Sequence, residues 1–170
     1  MSAREFPLHC ESVIWLDAAA DAAFDYLDDF KKLSAHMETS SPMMAGSRMT
    51  IATDELGGRA VGSRVCMQGR MLGMSLSLEE VVTERNPPHS KAWRTLGARL
   101  LVIGQYRLGF RIEPGGARSR LRVFIDYQLP AEWPARWLGR LFGGLYARWC
   151  TARMAHDAER HFAAKIGGPT

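Results

Sequence analysis

The stretch GQYRLGFRIEPGGARSRLRVFIDYQLP, residues 104–130, alternates apolar and polar side chains twice, with one turn between. Tyr106, Leu108, Phe110 and Ile112 fall on one side of an extended chain, with Gln105, Arg107 and Arg111 on the other. After GGARS, Leu121, Val123, Ile125 and Tyr127 alternate with Arg120, Arg122 and Asp126. Successive strand side chains point to opposite faces. The pattern therefore predicts two antiparallel strands, over 100–114 and 120–130, in a sheet with one apolar and one wet face.

The same signal extends upstream. SRMTIAT (47–53), SRVCMQGRM (63–71), GMSLSLEEVVTE (73–84) and SKAWRTL (90–96) read as strands, with the turn-rich ELGGRAVG and NPP between them. Met74, Leu76 and Leu78 share one face there, opposite Ser75, Ser77 and Glu79. HCESVIWL (9–16) is a first strand, followed by Asp17 as N-cap of a helix through about Leu27. Phe24 and Leu27 form its short apolar stripe. A second short helix is expected over 29–35, then a loop at SSPMMAGS.

Downstream, residues 132–164 turn helical, reaching about 50 Å at ~1.5 Å per residue. Gly143-Gly144 marks either a kink or a close pass to the sheet. A seven-stranded antiparallel sheet must cover its apolar face, and this helix is the only long element left to do so. The fold class is α+β, a curved sheet around a C-terminal helix, in a single domain spanning 1–170.

Composition narrows the function classes. The chain has 170 residues, 46% apolar and 24% charged, with a formal charge of +4, ordinary for a globular protein. It has no dense basic run, so nucleic-acid binding is not expected. MSAREFPLHCES has no signal-peptide core, and no stretch approaches ~20 apolar residues. Cys10, Cys66 and Cys150 are scattered and odd in number, which predicts a reducing cytoplasm and neither disulfides nor a zinc site.

YARWCTARMAHDAERHF (146–162) has a look of a zinc-binding helix, but His156 and His161 are five residues apart. On a helix that is about 140° of rotation, whereas a shared metal needs a four-residue spacing. No metal is expected, and Asp157 is read as a surface partner of His161. Leu138, Leu141, Leu145, Trp149, Ala152 and His156 are read as an inward stripe of this helix, with Trp137, Ala155, Phe162 and Ile166 at its margin.

Several passages resemble the START-like, or SRPBCC, superfamily. SVIWLDAAADAAFDYLDD is similar to its opening strand, loop and helix, and GGRAVGSRV to its glycine-containing turn into a central strand. EEVVTERNPPHSKAWRT resembles its strand–PP–strand passage, and LGRLFGGLYARW the start of its closing helix. The closest likeness is to bacterial polyketide cyclase/dehydrase and lipid-transport-like members. The resemblance implies the helix-grip fold and a cavity between sheet and helix.

In that setting the expected wall residues are Met44, Met67, Met74, Trp93, Tyr106, Phe110, Tyr127, Trp137, Leu141, Leu145 and Trp149. Methionines suit a pocket for varied apolar ligands, and aromatic rings supply large contact areas. The leading expectation is binding or transport of a small hydrophobic molecule of lipid, polyketide or isoprenoid type, with no cofactor. A cyclase/dehydratase-type enzyme is the first alternative, with His36, Tyr106 or Tyr127 as acid/base. The second is a protein-interaction or co-chaperone-like module using apolar surface around Trp133 and Trp137. Membrane contact is expected to be transient at most, and the oligomeric state stays open.

Overall fold

A computed structural model describes residues 6–33, 49–71, 74–100 and 102–166. The order is β1 (Leu8–Leu16), α1 (Ala20–Leu27), α2 (Phe30–Leu33), β2 (Met49–Thr53), β3 (Arg64–Met71), β4 (Met74–Asn86), β5 (Ser90–Arg99), β6 (Tyr106–Gly115), β7 (Arg118–Tyr127) and α3 (Ala135–Ile166). All seven strands join one antiparallel sheet in the order β1-β7-β6-β5-β4-β3-β2. The expected α+β helix-grip architecture is the one observed.

Alternation decides which side chains enter the core. Tyr106, Leu108, Phe110 and Ile112 on β6 are buried, as are Leu121, Val123, Ile125 and Tyr127 on β7. Their neighbours Arg107, Arg120, Arg122 and Asp126 lie on the opposite face. That face is an ion-paired surface, with Arg122 on Glu11, Arg120 on Glu113, and Arg107 on Glu84 and Asp126.

Boundaries depart from expectation where another interaction wins. The helix after β1 begins at Ala20 with Ala19 as an N-cap that makes no side-chain bond, while Asp17 pairs with Arg118 at 2.7 Å. β6 starts at Tyr106 rather than residue 100, because residues 102–105 run beneath α3 instead of pairing with β5. Gly104 N–H donates to the Gln128 carbonyl at 2.9 Å. The Val102 carbonyl approaches α3 so closely that a Cβ at Gly143 would sit 2.9 Å from it. Gly143 is thus a close approach, and α3 runs unbroken through Gly143-Gly144.

That approach sets the rotation of α3. Its inward side is Gly139, Gly143, Ala147, Cys150, Thr151, Met154, Ala158 and Phe162, and the helix packs chiefly on β1 and β7. Thr151 accepts a hydrogen bond from Ser12 on β1 at 3.0 Å. The expected stripe is corrected accordingly. Leu141, Leu145, Ala152 and His156 are exposed and Leu138 and Trp149 half-buried, because small residues take the contact with the sheet edge.

The opposite end is pinned by charge. Asp28, between α1 and α2, is buried and accepts from Lys91 Nζ at 2.7 Å and from Arg85 through Nε and Nη2. Lys91 is fully buried, also donates to the Asp28 carbonyl at 2.8 Å, and lies 4.6 Å from the Phe30 ring centroid. Gly58, at φ +76°, lets the β2–β3 loop lie flat on the Phe30 ring where a Cβ would collide.

Burial alone would raise the Asp28 carboxyl, but hydrogen bonds from Arg85 and Lys91 override it and hold it below the usual carboxylate range. The stability this adds is present in full above the unfolded value of about 3.9 and is lost as pH falls through the lower folded value. Asp28→Asn leaves Lys91 buried without a counter-charge and is expected to cost about 3–5 kcal/mol. Lys91→Met, which leaves Asp28 with Arg85, is expected to cost less. Denaturant unfolding of the two variants at neutral pH checks the order.

Candidate functional site

Because α3 leans on β1 and β7, it stands off from the middle of the sheet and leaves a chamber there. Among the described residues, the sheet supplies Met67, Leu78, Glu80, Trp93, Tyr106, Leu108 and Ile125; α2 supplies Leu33; α3 supplies Tyr146, Cys150 and Met154; and Leu100 adds to the lining. The cavity is about 30 Å³, room for one or two water molecules.

Its lining is mostly apolar and, among the described residues, carries one carboxyl. Glu80 is on the inner face of β4, in phase with Leu76, Leu78 and Val82, and is 1% exposed. The Tyr106 hydroxyl donates to Glu80 Oε1. Glu80 Oε2 is buried with no hydrogen-bond partner among the described residues. Burial pushes this carboxyl up to about 7, with the Tyr106 hydroxyl and the nearby Trp93 indole N–H, which falls short of a well-formed hydrogen bond, offsetting part of the rise.

The neighbouring groups are held neutral. Burial, reinforced by the Glu80 charge, raises Tyr106 well above the usual phenol range. Burial likewise raises Tyr146 and pushes the Cys150 thiol up to about 12. A thiol in that condition is no nucleophile at neutral pH. Among the described residues of the chamber, the group that changes charge near pH 7 is Glu80, and its free oxygen can donate when protonated or accept when ionised.

The structure brings Met67, Trp93 and Tyr106 together around this carboxyl. Phe110 is fully buried but packs edge-on against Phe24, with ring centroids 5.7 Å apart. Tyr127 is buried beneath the glycines of α3, its hydroxyl 3.7 Å from where a Cβ of Gly144 would stand, outside the chamber. Trp149 is half-buried against Tyr146, with centroids 5.9 Å apart. Trp137, Leu141 and Leu145 are exposed on the outer side of α3 and do not line the chamber. His36 and Met44 lie outside the described residues, as does the Met74 side chain.

His156 and His161 diverge. His156 sits on Glu159 at 2.9 Å and is exposed, while His161 stacks on Tyr26 at 4.2 Å. Asp157 pairs with Arg153 and Arg160 rather than with His161. Glu80 itself was open to the sequence: the alternation through Leu76 and Leu78 places it on the apolar face. Glu79 beside it supplies the polar partner expected at that point and masks the anomaly.

A curved antiparallel sheet gripping a helix over an apolar chamber with one carboxyl defines a START-like, helix-grip protein. The chain belongs to the polyketide cyclase/dehydrase and lipid transport family, whose pattern matches residues 7–165. No curated protein sequence matches it. Among solved structures it is similar to the Zhui aromatase/cyclase from Streptomyces sp. R1128, at 17% identity over 95% of this chain and 99% of that one, with a TM-score of 0.64. A Thalictrum flavum norcoclaurine synthase point mutant, in complex with a transition-state analogue, aligns at 15% identity over 94% and 96% with a TM-score of 0.63. A START superfamily protein from Mycobacterium smegmatis aligns at 15% over 92% and 98%, with a TM-score of 0.59. At these identities the likeness is one of fold.

A carboxyl whose folded value lies above its unfolded one holds its proton more tightly in the native state. The stability Glu80 contributes is therefore complete below about 4.5 and drains away as pH rises through about 7. Glu80→Gln cannot ionise and keeps an acceptor for Tyr106. The variant is expected to gain on the parent by about 3 kcal/mol between pH 4.5 and pH 8, read by urea unfolding across that range.

Proposed function

We infer that the protein binds a small, largely apolar molecule bearing one hydroxyl or carbonyl in the chamber between sheet and α3. The observation that supports this is the half-satisfied Glu80 carboxyl, one oxygen on Tyr106 and the other without a partner, in otherwise apolar surroundings. A buried polar atom without a partner costs about 1–3 kcal/mol. A ligand oxygen meeting Oε2 would remove that cost, while its apolar body gains about 25 cal/mol for each Å² taken from water. Lipid, polyketide and isoprenoid skeletons with one oxygen function all fit this description. Neutral neighbours at Tyr106, Tyr146 and Cys150 favour an uncharged guest.

At about 30 Å³ the chamber admits such a molecule only as the gap between α3 and the sheet widens. Admission then disturbs Trp93, whose indole lines the chamber. Titration with 1-naphthol and with naphthalene, followed by tryptophan fluorescence and native mass spectrometry, tests the reading. Naphthol is expected to bind about tenfold tighter, and Glu80→Leu to abolish that preference. Uptake of neither compound, or the same preference in Glu80→Leu, would sink it.

A carboxyl poised at about 7 beside a phenol also favours a second reading, proton transfer to and from a bound substrate in a cyclisation or dehydration. Glu80→Gln would then abolish turnover of a bound polyketide-type substrate while leaving its affinity within a few-fold. Turnover that survives in Glu80→Gln excludes Glu80 as the acid/base.

A further inference from the structure

In its first three turns, the side of α3 that faces away from the sheet carries larger apolar side chains than the side that touches it. Trp133, Trp137, Leu141, Phe142 and Leu145 are 83%, 57%, 54%, 48% and 55% exposed. Single exposed apolar residues need no explanation, but a contiguous set marks an interaction surface. Trp137, Leu141 and Leu145 follow one another at four-residue spacing and so lie along one line of the helix. Trp133 leads into that line and Phe142 flanks it. Gly139, Gly143 and Ala147 on the reverse side explain why: backbone contact with Val102 and Pro130 leaves the bulky side chains outward.

Charge along the same segment has one sign. From Trp133 to His156 the sequence contains four arginines and neither Asp nor Glu. Arg148 lies on that line and Arg140 flanks it; both are exposed and make no ion pair among the described residues. Several other surface arginines sit on carboxylates, as Arg64 does on Glu79, Arg118 on Asp17, Arg120 on Glu113 and Arg122 on Glu11. Unpaired guanidiniums beside exposed tryptophan and leucine match an anionic lipid surface. Phosphates would take the arginines, indoles favour the headgroup level, and leucine and phenylalanine reach the acyl boundary.

We propose that the outer face of α3 from Trp133 to Arg148 docks reversibly on an anionic bilayer. The apolar line from Trp137 to Leu145 is about 12 Å long. Five apolar side chains are few beside the roughly 20–30 residues a side of a stable protein interface, yet sufficient for shallow insertion. No helix among the described residues is long and apolar enough to cross a membrane, so the contact is peripheral. Tyr146 and Cys150, immediately beyond Leu145, line the chamber, so docking brings the chamber's helical wall against the phase in which apolar molecules dissolve. The proposal does not depend on a ligand being bound there.

Flotation of the full chain with phosphatidylcholine vesicles, with and without phosphatidylglycerol, at low and high salt, tests it. The protein is expected to float with the phosphatidylglycerol vesicles and to be released by salt. Each of Arg140→Gln and Arg148→Gln is expected to weaken binding about fivefold. The double change Trp137→Glu with Leu141→Glu is expected to weaken it about tenfold or more, with unchanged thermal unfolding because both side chains are exposed. In the unaltered protein, brominated lipid should quench tryptophan emission. Failure to float with phosphatidylglycerol vesicles overturns the proposal, as does binding that the double change leaves intact. If light scattering instead shows a dimer that the double change dissolves while flotation is unaffected, the face belongs to a second copy of the chain and the proposal falls.

Discussion

Helix α3 touches the sheet through its smallest residues, and the rest of the architecture follows from that contact. Gly139 and Gly143 bring its backbone onto Val102 and Pro130, and Thr151 bonds across to Ser12 on β1. A helix held that tightly against β1 and β7 cannot also reach the middle of a sheet that curves away from it. The space left over is the chamber. The same contact fixes the helix's rotation, so the large side chains that do not fit beneath it are turned to the outside. The internal cavity and the apolar outer face are two results of one packing decision.

Within the chamber the dominant physical term is desolvation. It keeps Tyr106, Tyr146 and Cys150 neutral and lifts Glu80 into the range where a small change in surroundings alters its charge. A buried ionisable group with one oxygen unsatisfied is costly to the fold, and such groups concentrate at sites of function. The corner at Asp28 solves the opposite problem. There two cations surround one carboxylate, so the charge persists and serves to hold α1 and α2 against β4 and β5.

The sheet was legible because period-two alternation is strong in β6 and β7, and seven strands with one long helix leave few arrangements. Tyr106 was legible as inward-facing for the same reason. The face of α3 was not, since hydrophobicity alone puts Leu141 and Leu145 inside. Only the close approach at Gly143, a tertiary fact, turns them outward. Tyr127 shares the alternation of Tyr106 and is equally buried, yet it ends under the helix glycines rather than at the chamber. Strand periodicity gives the face and says nothing of position beneath the helix. Glu80 was hidden by its neighbour Glu79, either of which satisfies the pattern until the inner phase is followed through Val82. Lys91, in a segment read simply as strand, gives no local sign that Asp28 awaits it sixty-three residues earlier.

The burial of Lys91 gives the molecule a property unrelated to ligand or membrane. The chain has four lysines, at positions 31, 32, 91 and 165. Three are exposed, and Lys91 is sealed between Asp28 and the Phe30 ring. An amine-reactive reagent therefore meets three lysines in the native protein and a fourth only when the corner between α1 and α2 comes away from the sheet. Acylation at that one position becomes a chemical clock for the opening of the fold, written into the sequence by the scarcity of lysine.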